Sequence, residues 1–449
     1  MSLQKPVFFL NHSHCSFTIP NTFPTFIYRF ILFSILVLAS CSPTKRFTED
    51  KEKTKNIETE STTSESPTIE YTDAIIDYSA IRVSMQGLVK SDAIMIGSPV
   101  NLLSENRKLA SLKSGSYINC YFRIDEVGMV TDAGEFSAKK FFLTPVDKSD
   151  IIKLNGKGYR GVIQISVSGS SVDIINVLDT EDYVKGVLAK EMPIGKGKEN
   201  LEALKALAIC IRTYAVQKIS DGKIYFDIYA DTRDQVYGGA DAEQMISNKA
   251  VDETKNLILK YNDKPATIFY HSTCGGYTES ANNVFTKTEI PYLTSIKDGP
   301  GPNCNISPRF EWQEIYSKQT IITRLKDYNL LDNKNYILKD LTITSRFSSG
   351  RVNELEAGLT DDRNEKYIIT LRGNEIRSII RTSNNKSILW STLFEVDINS
   401  DKIILSGNGF GHGVGLCQWG AISLSKNGWS YSEILEHYYP GTETGILND

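Results

Sequence analysis

Five short segments combine residue types and spacings that could do chemistry. The first runs Glu181-Asp182-Tyr183-Val184-Lys185-Gly186-Val187-Leu188-Ala189-Lys190-Glu191-Met192-Pro193. Glu191 stands among apolar-leaning neighbours, just before a proline that ends regular structure. A carboxyl group held against apolar side chains has its pKa raised and can serve as a general acid near neutral pH; for a lone glutamate, a solvated helix end is the commoner case. The second segment runs from Glu202-Ala203-Leu204-Lys205-Ala206 to Arg212-Thr213-Tyr214-Ala215. Arg212 borders an apolar stripe, so it is either a donor facing a cleft or a rim arginine lying over the core. The third, Asp234-Gln235-Val236-Tyr237-Gly238-Gly239, places polar and aromatic groups before a glycine pair, as a sugar-contacting loop or an ordinary turn would.

The fourth segment is Tyr270-His271-Ser272-Thr273-Cys274-Gly275-Gly276, a strand end followed by a tight turn that uses the conformational freedom of glycine. His271 and Cys274 are three residues apart, a spacing open to a thiol nucleophile or a metal. A metal needs three or four ligands, and beyond residue 41 the chain has only His271, His412 and His437. Cys304 follows the turn-rich Gly299-Pro300-Gly301-Pro302, and a thiol outside the cytoplasm tends to oxidise, so a Cys274–Cys304 disulfide is the preferred reading. The fifth segment runs from Gly407 to Ala421 and alternates glycine with Asn408, Phe410, His412 and Val414 before Leu416-Cys417-Gln418-Trp419. Its G-x-G spacings lack the Lys-Ser/Thr and the distant acidic residue of nucleotide loops. The glycines would let backbone approach a ligand and leave His412 and Gln418 projecting; a packed turn around a core histidine is equally open.

The elements that must position these segments are mixed. From residue 71 to about 177, short runs alternate apolar and polar residues between Gly and Ser turns, which predicts a β-rich region. Leu201, Leu204, Ala208, Ile211, Ala215 and Ile219 recur at three- and four-residue steps, which predicts a helix with one apolar stripe. Further helices are expected at 242–254 and 321–328. Strands are expected at 257–261, 266–270, 341–345, 367–371 and 393–396. The chain closes on two short helices, the last with Ser430 three residues before Glu433, a capping-box spacing. The fold class is α+β.

Residues 30–39 form an uncharged apolar run after Arg29, too short to span a bilayer and of signal-peptide length. Leu38-Ala39-Ser40-Cys41 is similar to the lipobox of bacterial lipoproteins, in which the cysteine is acylated. Residues 43–68 are Ser/Thr/Glu/Lys-rich and read as a tether. The 449 residues carry 50 basic and 54 acidic side chains, a net −4 that argues against nucleic-acid binding. Residues 1–40 hold two bases and no acids, so the remainder carries −6. Seven cysteines then divide into Cys15 in the signal, Cys41 for lipid, the Cys274–Cys304 pair, and Cys120, Cys210 and Cys417 as buried thiols.

Taken in order, V-L-A-K-E-M-P, E-A-L-K-A with R-T-Y-A, Q-V-Y-G-G, H-S-T-C-G-G, P-Y-L and G-F-G-H-G-V-G-L-C-Q-W-G-A resemble the SpoIID/LytB family, stage II sporulation protein D and its relatives, from about Gly158 to the C-terminus. The resemblance implies action on peptidoglycan glycan strands. Sporulation members are lytic transglycosylases whose E-M-P glutamate is the catalytic acid, here Glu191. Arg212, Tyr214, Gln235, Tyr237, His271, Ser272, Gly275, Gly276, His412 and Gln418 would bind substrate along a groove. No cofactor is implied. Some members hold zinc through a His and two Cys leading into Q-x-Y; residues 225–234 have neither, so no metal is expected there. A non-catalytic glycan-binding or amidase-enhancing module is the alternative, and a thiol peptidase using Cys274 or Cys417 is disfavoured. The expected partners are glycan strands, a membrane reached through the lipid, and a cell-wall amidase. The expected location is the cell envelope, on the outer membrane facing the periplasm. The expected layout is signal 1–40, lipidated Cys41 and tether 41–70, a β-rich N-terminal domain 71–157, a SpoIID-like α/β core 158–311, a mixed subdomain 312–397, and a glycine-rich loop with C-terminal helices 398–449.

Overall fold

A computed structural model describes residues 79–105, 107–195 and 197–447. The expected signal, Cys41 and tether lie outside these residues. The fold is α+β, as the patterning implies.

The alternating runs pair into a seven-stranded sheet in the order Ile228–Tyr229, Ala80–Ser84, Ser171–Asp179, Val162–Ser168, Lys140–Pro145, Val100–Ser104, Arg107–Leu112. Neighbours are antiparallel except Ile228–Tyr229, which runs parallel to Ala80–Ser84. Strands Ile94–Met95, Tyr117–Arg123, Glu126–Thr131 and Gly134–Ala138 make a second sheet that turns Ile118, Cys120, Val127 and Met129 inward. One hydrophobic core runs from Ile81 to Tyr439 and includes residues of both sheets. The border expected at 157/158 therefore does not divide the molecule: strands on both sides of it share a sheet and a core.

The helices are α1 (Thr180–Glu191), α2 (Leu201–Ser220), α3 (Met245–Glu253), α4 (Lys318–Asp327), α5 (Glu375–Ile380), α6 (Gln418–Lys426) and α7 (Tyr431–Tyr438). Asp179 caps α1 by accepting the Glu181 N–H, and Ser430 with Glu433 forms the expected capping box on α7. Periodicity predicts a single apolar stripe on α2. The helix is instead buried on nearly every side, because α1, α3, α6, α7 and the strand Leu257–Tyr261 surround it and small residues (Ala203, Ala206, Ala208, Ala215) admit close neighbours.

A second core gathers residues from Trp312 to Leu405. It holds α4, α5, the meander Tyr336–Arg346, Val352–Asp361, Lys366–Arg372, and the sheet Glu311–Ser317, Lys402–Asn408, Phe394–Ile398. Strand Lys402–Asn408, assigned from sequence to the C-terminal segment, belongs to this subdomain. The whole unit is inserted between Tyr270–His271 and Leu416–Cys417, which pair in parallel as Tyr270↔Leu416 and His271↔Cys417.

Candidate active site

Glu191 is the last residue of α1 and is largely buried. Its Oε1 accepts the backbone N–H of Val236 at 2.7 Å, which joins the helix end to the Asp234–Gly239 loop. Burial raises the carboxyl pKa, outweighing the Val236 N–H, which favours the charged form. The negative end of the α1 dipole works in the same direction as burial. Among the described residues no cation pairs with Glu191. Because Oε1 is occupied as an acceptor, a proton on this group belongs on Oε2.

The loop that carries Val236 is held by aromatic packing. Tyr183 stacks on Tyr237 with ring centroids 5.5 Å apart, and Tyr183 Oη donates to Gln235 Oε1 at 3.0 Å. Tyr237 Oη donates to Asn176 Oδ1 at 2.8 Å, reaching the seven-stranded sheet. Gly186 explains the close fit on α1, since a Cβ there would collide with the Tyr237 ring. Tyr270 Oη and Gln235 Nε2 are both buried and face one another, neither meeting full hydrogen-bond geometry among the described residues, and Glu191 lies near enough to influence the Tyr270 hydroxyl. Tyr183, Val236 and Tyr270 were not singled out from sequence, although all three lie inside motif segments; a tyrosine's hydroxyl partner is set by the fold.

A pocket of about 380 Å³ opens beside the loop, lined by Tyr159, Lys190, Val236, Tyr237 and Asp241 among others. Glu191 is not in its lining, but its chain neighbour Lys190 and its hydrogen-bond partner Val236 are. A larger opening of about 660 Å³ lies at α7 and strand Leu257–Tyr261, with Trp429 and His437 in its wall and no residue of the Glu191 site. The carboxylate on the Val236 loop, Asp234, accepts from Tyr214 Oη at 2.6 Å and from the Tyr229 N–H at 2.9 Å, so it is committed to structure.

Several residues expected to line a groove do other work. Arg212 is fully buried and forms a fork with Glu181, Nε to Oε1 at 2.8 Å and Nη2 to Oε2 at 2.7 Å, while Nη1 donates to the Leu257 carbonyl. It ties α2 to the start of α1 and to a strand rather than facing a cleft. Tyr214 secures the Asp234 turn. Gln235, Tyr237, His271 and Gln418 are buried, Gln418 as the first residue of α6. Ser272 accepts the Trp419 N–H through its carbonyl, and His412 Nδ1 accepts the Val414 N–H. The glycine loop approaches protein, not open space: Thr273 and Phe410 exchange backbone hydrogen bonds, and a Cβ on Gly415, at φ +69°, would strike the Phe269 carbonyl. Gly275 and Gly276 take positive φ in the turn after Cys274, as the glycine pair implies.

The expected Cys274–Cys304 bridge is absent. Both are free thiols with their sulfurs 3.4 Å apart, well beyond the S–S bond of about 2.05 Å.

A family model described as stage II sporulation protein matches residues 168–261, a span that contains Glu191, Arg212, Gln235 and Tyr237. A second, for a domain of unknown function, matches 300–415, which spans the second core. The chain is 32% identical over 326 residues to an uncharacterized protein of Brachyspira hyodysenteriae, covering 72% of this chain and 78% of that one. It is 32% identical over 328 residues to the amidase enhancer of Bacillus subtilis, covering 66% of this chain but 45% of that protein. It is 30% identical over 300 residues to stage II sporulation protein D of Bacillus subtilis, covering 63% of this chain and 78% of that one. The chain belongs to the stage II sporulation protein D family.

Proposed function

We propose that this protein is a cell-wall lytic transglycosylase that cleaves peptidoglycan glycan strands, with Glu191 as its general acid and base. The observation that carries the reading is Glu191 itself: a largely buried carboxyl of raised pKa, one oxygen fixed by the Val236 N–H and the other free to hold a proton. An ordinary glycosidase needs a second carboxylate as nucleophile or base. Asp234, on the adjoining loop, is engaged by Tyr214 and Tyr229. A lytic transglycosylase manages with one carboxyl, because the C6 hydroxyl of the muramic residue attacks in place of water. Glu191 protonates the leaving glycosidic oxygen as the bond to the anomeric carbon breaks. It then takes the proton from the C6 hydroxyl as the new C–O bond closes the anhydro ring. Proton and bond counts balance with no external water or cofactor.

The sequence supports a lipid on Cys41 and a tether through about residue 70 that hold this body in the envelope, on the outer membrane facing the periplasm. The similarity to a protein named amidase enhancer favours a second reading: a glycan-binding module that assists a cell-wall amidase.

One experiment separates the two. Purified glycan strands, with and without stem peptides, are digested with the wild type and with Glu191→Gln, and products are read by mass. The enzyme yields fragments one water lighter than hydrolysis products, and Glu191→Gln reduces them by at least about 100-fold, the scale of a lost general acid. Intact glycan with retained binding would establish the module instead. Full turnover by Glu191→Gln would remove the carboxyl from its assigned role.

A further inference from the structure

Away from Glu191, the insertion point of the second core gathers soft ligands that the spacing in sequence did not bring together. Cys274, Cys304 and Cys417 are each fully buried and none is bonded to another. A ring nitrogen of His271 and the sulfurs of Cys274 and Cys417 lie within 4.8 Å of one another, and Cys304 Sγ is 3.4 Å from Cys274 Sγ. Two zinc–sulfur bonds of about 2.3 Å in tetrahedral geometry separate their sulfurs by about 3.8 Å, close to the spacing found.

Backbone donors point at two of the three sulfurs. The Cys274 N–H points at Cys417 Sγ (3.2 Å) and the Gly276 N–H at Cys274 Sγ (3.4 Å). His271 carries an independent signal. Its Nδ1 lies 3.1 Å from the Val414 carbonyl, which can only accept, so Nδ1 bears the hydrogen. That leaves Nε2 as the nitrogen turned to a ligand, and among the described residues it is buried with no hydrogen-bond partner. A histidine whose other nitrogen is anchored to a carbonyl is the usual arrangement of a metal ligand. Beside the cluster, Arg351 is buried with Nε and Nη1 unpartnered, its Nη2 donating to the Cys274 carbonyl. A buried guanidinium calls for negative charge nearby, and the buried Glu279 carboxylate and the cluster sulfurs are the groups close enough to supply it.

We propose that Cys274, Cys304, Cys417 and His271 ligate a structural zinc ion that fastens the turn after Tyr270–His271, the loop at Cys304 and the start of α6 to one another. Three thiolates and a neutral imidazole around Zn²⁺ carry one net negative charge, which the Arg351 guanidinium offsets. Asp298 also lies within 4.8 Å of the Cys274 and Cys304 sulfurs, in a second group that shares Cys274 with the first, but it already accepts from Tyr438 Oη at 2.7 Å and from the Cys304 N–H at 2.9 Å, which assigns it as an outer partner. The site is closed and holds no open coordination position, so its role is structural. It stands apart from the reading of Glu191 and does not depend on it.

The test uses the full chain, purified under reducing conditions after expression with zinc. Elemental analysis should give one zinc per chain. Cobalt(II) exchanged into the wild type should show thiolate-to-cobalt charge-transfer bands and the strong visible bands of a tetrahedral ion, a readout that needs no variant. Cys304→Ser and His271→Ala should lose the stoichiometric metal, while Asp298→Asn and the control Cys210→Ser keep it. Metal-free protein lacking two titratable thiols would show a disulfide and overturn the proposal, as would three free cluster thiols that bind neither ion. Retention of zinc by His271→Ala with loss in Asp298→Asn would overturn the choice of fourth ligand.

Discussion

At the scale of the residue, the burial of the Glu191 carboxyl costs stability. Its folded pKa lies above the ordinary value of 4.5 because burial penalises the anion. The folded state therefore holds this proton over a range of pH in which the unfolded chain has released it, and linkage makes stability fall as pH rises through that range. Below the ordinary value both states are protonated and nothing is lost. Glu191→Gln removes the penalty and keeps an acceptor for the Val236 N–H. The variant should match the wild type near pH 4 and exceed it at pH 8 by on the order of 1 kcal/mol, as at other sites where function costs stability. Urea unfolding at the two pH values measures this, and a gap that shrinks toward high pH would contradict it. The glutamate's candidacy was legible in the sequence from its neighbours. Its hydrogen-bond partner was not, since Val236 contributes a backbone N–H that any residue type would supply. Arg212 was misread for a related reason: an arginine beside an apolar stripe looks the same whether its partner is a sugar or Glu181, 31 positions earlier.

At the scale of the element, α1 and α2 work as one support. The Arg212–Glu181 fork fixes the N-terminal turn of α1, and the Tyr183–Tyr237 stack fixes the loop facing its far end, where Glu191 sits. The fork is nearly dry, with side-chain exposures of 0% for Arg212 and 13% for Glu181, so losing one partner strands the other. Arg212→Met should cost about 3 kcal/mol in urea unfolding, and adding Glu181→Leu should recover a large part of it. Turnover per folded molecule should stay near wild type at permissive temperature. Normal stability with lost turnover would instead return Arg212 to a substrate groove. Helix α2 and the capping box of α7 were legible because their signals are local. The extent of α2's burial was not, because the elements that cover it beyond its apolar stripe come from distant parts of the chain.

At the scale of the whole molecule, the second core is an insertion, not an appendage. It lies between the parallel partners Tyr270–His271 and Leu416–Cys417, which the chain brings together across residues 272–415. Sequence patterning marked a change of character near residue 312 but could not show that closure, which joins residues about 146 positions apart. The seam is polar and specific: Gly411 N–H to the Trp390 carbonyl, Arg351 Nη2 to the Cys274 carbonyl, and the Ser349 hydroxyl to Glu279. Such a seam, with chain connections on both sides, predicts that the two cores unfold as one cooperative unit, the behaviour a two-state test reads. The four tryptophans divide evenly, with Trp312 and Trp390 in the insertion and Trp419 and Trp429 in the main body. Replacing one pair with phenylalanine leaves the other as a local reporter. Trp312→Phe with Trp390→Phe, and separately Trp419→Phe with Trp429→Phe, should each show a single urea transition whose midpoint agrees between fluorescence and far-ultraviolet circular dichroism. If the insertion reports an earlier midpoint than the backbone signal of the same variant, the cores unfold separately and the return pair at His271 and Cys417 is not what holds them together.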